Sequence, residues 1–123
     1  MNLIGNFKFP YKMNKVRNID FYGLKISLFE QNELFGEIVN HIYKKNQIVC
    51  YGYSFGTLPY FRVYPEIAIY SNQFDVSLCD GRGLYFLIKL TGQKSINDLS
   101  IPEFSWKLME LANVHCFSLM IIG

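Results

Sequence analysis

The chain has 123 residues, half of them hydrophobic by type and 18% charged, so a single domain with a substantial core is expected and extended disorder is excluded beyond the first fifteen or so residues. The formal net charge of +2 is too small to point to nucleic acid as a partner. The three cysteines, Cys50, Cys79 and Cys116, are widely spaced, odd in number and without a C-x-x-C pair, which argues against a zinc or redox motif and for buried thiols in a reducing compartment.

Residues 1–16 have no clean period, carry Pro10 and several Asn and Lys, and read as part of an irregular arm that ends at residue 17. Its basic excess, Lys8, Lys12, Lys15 and Arg17 against Asp20, suits either a solvated arm or a contact with an anionic lipid surface. On such a surface each basic side chain contributes roughly 1 kcal/mol. The opening stretch Met1–Lys8 lacks the apolar core of a signal peptide, and no apolar run approaches the ~18 residues of a membrane span. A cytoplasmic location is therefore expected.

The α/β domain is expected over residues 18–123. Asn18 to Tyr22 reads as a short strand, Gly23 as a turn, and Leu24-Lys25-Ile26 as a second strand. Ser27-Leu28-Phe29-Glu30 fits a capping box, in which serine and glutamate cap each other's backbone N–H. Behind it Leu34, Ile38 and Ile42 recur every fourth residue beside Phe35 and Val39, which predicts a helix of about fourteen residues ending near Lys44-Lys45-Asn46. Gln47 to Tyr53 is a near-continuous apolar run, read as a buried parallel strand.

Residues 58–72 read as helix interrupted at Pro65, and Phe74 to Cys79 as the next strand. Leu84 to Leu90 leaves almost no polar side, which predicts a helix buried on most of its surface. Ser100-Ile101-Pro102-Glu103 is a second capping-box pattern, followed by Phe104, Leu108, Leu111 and Ala112 on one helical face. Cys116 to Ile122 reads as a last buried strand. This alternation predicts βαβ units and a parallel sheet. With no helix behind the last strand, its uncovered side would call for a homo-oligomer or a partner chain.

Two strand ends carry the candidate chemistry. Gly52–Thr57 follows one strand and Asp80-Gly81-Arg82-Gly83 the next, and in a parallel sheet both loops emerge at the carboxyl edge, where such sheets bind ligands. A substrate across that edge would meet Asp80, the N–H groups of the Gly81–Leu84 turn, and Ser54 or Thr57. Asp80 suits two roles, a general base for a hydroxyl or a helix cap. Arg82 suits a phosphate or plain solvent. His41 and His115 stand in no metal-ligand spacing with acids or cysteines, His115 merely adjoining the lone Cys116, so no metal site or Ser/His/Asp arrangement is arguable.

Several stretches together carry a family resemblance. They are Phe74-Asp75-Val76-Ser77-Leu78-Cys79-Asp80-Gly81-Arg82-Gly83, with Tyr64-Pro65-Glu66-Ile67 at a fixed distance before it, Ile101-Pro102-Glu103-Phe104 after it, the early Tyr22-Gly23-Leu24-Lys25-Ile26, and the final Phe117-Ser118-Leu119-Met120-Ile121-Ile122-Gly123. This pattern resembles the N-terminal part of the WecG/TagA/CpsF family of bacterial N-acetylmannosaminyltransferase-like glycosyltransferases, from about residue 18 onward. Only the Asp-Gly-x-Gly stretch and its spacing to Pro65-Glu66 are specific.

The resemblance implies a Rossmann-like, three-layer α/β/α domain with a mostly parallel sheet, incomplete relative to the family. It implies metal-independent, inverting transfer of an N-acetylhexosamine from a UDP-sugar to a polyprenyl-diphosphate-linked acceptor at the cytoplasmic membrane face, without a cofactor. It puts the catalytic base on Asp80 and the sugar nucleotide among Ser54, Thr57, Gly81, Arg82, Gly83 and Glu103. Two departures give an alternative: the family's Thr-x-Asn falls on Gly52-Tyr53-Ser54, and its second half has no counterpart here. The alternative is a catalytically inactive homologue or partner subunit that binds nucleotide sugars or another chain.

Overall fold

The computed structural model describes residues 13–93 and 96–122 and shows a mixed α/β chain. The arm expected over residues 1–17 lies outside the described residues up to position 12. Met13 is already buried, and the N–H groups of Asn14 and Lys15 donate to the carboxylate of Glu37.

Strands β1 (Arg17–Phe21) and β2 (Leu24–Leu28) form an antiparallel hairpin with Phe21 opposite Leu24. Its two-residue turn holds Tyr22 at φ 50° and Gly23 at φ 87°. Positive φ at both positions gives the twist that a two-residue hairpin needs. β2 runs on to Leu28 because Arg17 and Leu28 pair, and this overturns the capping box expected at Ser27. Ser27 is buried instead. Its hydroxyl donates to Asn18 Oδ1 at 2.8 Å and accepts the Ser77 N–H at 2.9 Å. The cap of helix α1 (Gln31–Tyr43) is Glu30, whose carboxylate accepts from the N–H groups of Asn32 and Glu33. The expected apolar stripe is in place through Leu34, Phe35, Ile38 and Val39, which are buried, but its last member, Ile42, is exposed.

Strands β3 (Cys50–Tyr53) and β4 (Val76–Cys79) pair in parallel, Cys50 opposite Val76 and Tyr53 opposite Cys79. They are shorter than the apolar runs that predict them, and they are the parallel component among the described residues; the other pair is the antiparallel hairpin. Between them run a 3-10 turn (Phe55–Thr57), α2 (Leu58–Val63) and α3 (Glu66–Ser71), broken at Pro65 as expected. The buried Asp75 anchors the pair: its carboxylate accepts the Val49 N–H at 2.8 Å, while its own N–H donates to the Val49 carbonyl at 2.9 Å. Lys25 Nζ donates to the carbonyls of Phe74 and Asn72, tying the hairpin to the start of β4.

Helices α4 (Arg82–Leu90) and α5 (Ile101–His115) follow. α4 buries Leu84 and Ile88 but leaves Phe86 and Leu90 exposed, so it is amphipathic and not the largely buried helix expected. Two apolar clusters flank β4. Val76 and Leu78 pack with α1 and α5 through Leu34, Ile38 and Phe104. Cys79, with Tyr53, packs with the hairpin, α2 and α4 through Ile26, Phe61, Leu84 and Ile88. Strand residues alternate between faces with period two, so successive residues of β4 serve different clusters.

The strand expected over Cys116–Ile122 is absent. Cys116 ends α5 with φ 56°, and residues 117–122 carry no regular structure. Leu119, Met120, Ile121 and Ile122 are 52% to 85% exposed. A strand needs a partner for its backbone groups, and among the described residues none pairs with these. The expectation of three buried thiols is corrected at the same place: Cys79 is buried, Cys50 half-buried and Cys116 exposed.

Candidate functional site

The two loops meet at the carboxyl edge of the parallel pair. The Asp80 N–H donates to the Tyr53 carbonyl at 2.7 Å, extending the β3–β4 ladder by one bond and fixing where the Asp80 side chain emerges. Gly81 follows at φ 88°, a conformation that an L side chain rarely adopts, and caps α4 without a side-chain bond. The first N–H groups of α4 therefore lack a side-chain cap of their own, which is the usual condition for anion binding at a helix start. Arg82 opens the helix, exposed, with no hydrogen bond or ion pair among the described residues.

The other loop is held by its own hydroxyls. Thr57 Oγ1 accepts the Ser54 N–H at 3.1 Å and lies 3.3 Å from Ser54 Oγ. Ser54 and Thr57 line a cavity of about 480 Å³ with Tyr51, Tyr60 and Ile67. The loop then crosses toward α4, where the Phe55 Cβ stands 3.3 Å from the position a Cβ on Gly83 would take. A side chain at Gly83 would therefore press on Phe55, which would have to shift by a few tenths of an ångström.

A third element reaches the same edge. Asp80 Oδ1 accepts the backbone N–H of Ile101, the first residue of α5, at 3.0 Å. The carboxylate is therefore a helix cap, but of α5, twenty-one positions on, and not of the adjacent α4. Its other oxygen has no hydrogen-bond partner among the described residues. The Ile101 side chain lies over Gly52, where an added Cβ would meet its Cγ1 and Cδ1 at 2.5 Å. Glu103 is committed to the α5 capping box: its carboxylate accepts from the N–H and hydroxyl of Ser100, whose Oγ accepts the Glu103 N–H.

The structure therefore brings Asp80, Gly81, Gly83, Ser54 and Thr57 to one edge, with Arg82 exposed beside them. Glu103 belongs to the wall above, facing a separate groove of about 430 Å³ with Asp98 and Trp106. Sequence reasoning missed Ile101 and Phe55, the two side chains that close on this edge. Their only signal was the pair of glycines: Gly52 has no room for a side chain, and Gly83 has only a tight fit.

Behind the edge, burial pushes the Cys79 thiol from 9.0 up to about 12, helped by the negative charges of Asp98 and Asp80. Cys50, on the opposite face, is pushed to about 12 by burial and by Asp75. Neither is a thiolate nucleophile near neutral pH. Among the described residues no group of three or more His, Cys, Asp and Glu side chains could hold a metal ion, and no helix is long and apolar enough to cross a membrane. Comparisons with family models, with curated proteins and with solved structures find no match to this chain.

Proposed function

We propose that this chain is a glycosyltransferase-type domain that moves an N-acetylhexosamine from a UDP-sugar to a polyprenyl-diphosphate-linked acceptor at the cytoplasmic face of a membrane. The observation that supports this reading is the placement of Asp80 beside the uncapped start of α4, at the carboxyl edge of adjacent parallel strands. The clusters on the two faces of β4 agree with a Rossmann-like, three-layer arrangement. In the proposed step Asp80 takes the proton of the acceptor hydroxyl as that oxygen bonds the anomeric carbon, and UDP leaves with the electrons of the broken bond. The diphosphate charge is met by the N–H groups of Gly83 and Leu84 and by Arg82. Ser54 and Thr57 lie on the sugar or nucleoside side.

A second reading, a binding or partner module without turnover, is favoured by a specific observation. The edge is partly filled by the chain itself, because Ile101 lies over Gly52 and holds one oxygen of Asp80. A threonine at Gly52, as the resembled family has, would meet Ile101. Titration calorimetry with a UDP-N-acetylhexosamine tests the shared part of both readings. Saturable binding that weakens at least several-fold in Arg82→Ala is expected. No binding by the wild-type chain would sink both.

A further inference from the structure

We propose that the free edge of β3 receives an extended apolar strand, and that its occupant is residues 117–122 of a second copy of this chain. Val49 and Tyr53 turn their carbonyls to the β4 side, where they accept from Val76 and Asp80. With the two-residue period of a strand, Cys50 and Gly52 turn their N–H and C=O groups the other way. Among the described residues nothing pairs with that side. Exposed strand edges of this kind are templates for another strand.

The surroundings of the edge are apolar on both faces. On one face a cavity of about 580 Å³ adjoins its start at Cys50, lined mainly by Ile38, Ile42, Ile48, Phe104 and Leu108, with Asn46 and Gln47 at the same place. On the other, the Tyr51 ring is 44% exposed beside Phe74. An incoming strand would send alternate side chains to the two faces, so it must be apolar on both. Phe117-Ser118-Leu119-Met120-Ile121-Ile122 has that character, and its last four side chains are exposed and pair with no strand among the described residues. Its first residue is held elsewhere: the Phe117 ring packs on His115 and Tyr43, and its N–H donates to the Ala112 carbonyl. The segment is thus presented outward while no described residue of its own subunit pairs with the edge.

One molecule thus offers both halves of a strand pairing, and two molecules can exchange them reciprocally, as a two-fold interface requires. Burying a Leu, Ile or Met side chain removes on the order of 100 Å² of apolar surface. Four such side chains per copy, with the groove surface they cover, bring a double exchange to the order of 1,600 Å², the size of an ordinary stable interface.

The test is the oligomeric state of the 123-residue chain, measured by light scattering after gel filtration, with backbone hydrogen exchange at Cys50 and Gly52. The wild type should be a dimer with those two amides protected. Ile121→Asp changes a side chain that is 79% exposed, so it should fold unaltered but run as a monomer with both amides exchanging fast. A synthetic peptide of residues 117–122 should bind that variant and restore the protection. A dimer that survives Ile121→Asp would overturn the proposal. So would a wild-type monomer at all concentrations, and amide protection in such a monomer would assign the edge to its own segment.

Discussion

The Asp80 carboxylate accepts the Ile101 N–H at 3.0 Å, and the Ile101 side chain in turn lies over Gly52 on the neighbouring strand. This one contact joins the ends of β3 and β4 to the start of α5. Removing the acceptor should cost about 1 kcal/mol, as for other helix caps. Asparagine keeps an oxygen there and caps as well as aspartate. Asp80→Ala should therefore lower the melting temperature by roughly 4 °C, and Asp80→Asn by no more than about 1 °C. Thermal unfolding followed by circular dichroism checks both values.

Gly52 carries the second half of the same relationship. Gly52→Ala would overpack the site against Ile101, at a cost of about 1–3 kcal/mol. In the background of Ile101→Ala, which empties that space, the Gly52→Ala penalty should largely disappear. A double-mutant cycle in urea measures the coupling, and additive effects would contradict the contact.

Much of the local structure was legible in the sequence, and the misses have a common cause. The helix carrying Leu34 and Ile38 and the Ser100–Glu103 box are short-range patterns and form as read, except that Ile42, expected on the same stripe, is exposed. Ser27–Glu30 has the same box pattern, yet Ser27 is taken by Asn18 and Ser77, and Ser77 is fifty residues away. Cys116–Ile122 has the composition of a buried strand, but pairing is non-local and composition does not supply a partner. The site follows the same division. Asp80 and its glycine turn were readable as a strand end, while the Ile101 contact that decides what the carboxylate does was not.

Asp75 should be the most costly polar position in the core. Asp75→Ala leaves the Val49 N–H without its carboxylate acceptor and removes a negative charge beside Lys25, so a loss of about 2–3 kcal/mol is expected. Asp75→Asn, which keeps an acceptor, should cost less. Urea midpoints at constant m-value would show the difference.

The thiols give a pH-dependent prediction. Cys50 and Cys79 have their folded values raised from 9.0 to about 12, mainly by burial. Their neutral forms are favoured in the folded state, so their contribution is fully present below pH 9 and is lost as pH rises from about 9 toward 12. Unfolding free energy should fall across that window, and less steeply in Cys79→Ala. At pH 8 a disulfide reagent should titrate the exposed Cys116 quickly and the other two only after denaturation.

In the proposed transfer Asp80 acts on an acceptor hydroxyl as well as on α5. UDP release from UDP-N-acetylmannosamine with a polyprenyl-diphosphate-linked acceptor, wild type beside Asp80→Asn, tests it most directly. Turnover by the wild-type chain is expected, with a fall of about 10²–10⁴ in Asp80→Asn at a melting temperature within about 1 °C of wild type, the loss expected for a general base. Turnover that survives Asp80→Asn would contradict it, as would a wild-type chain that binds the donor and releases no UDP.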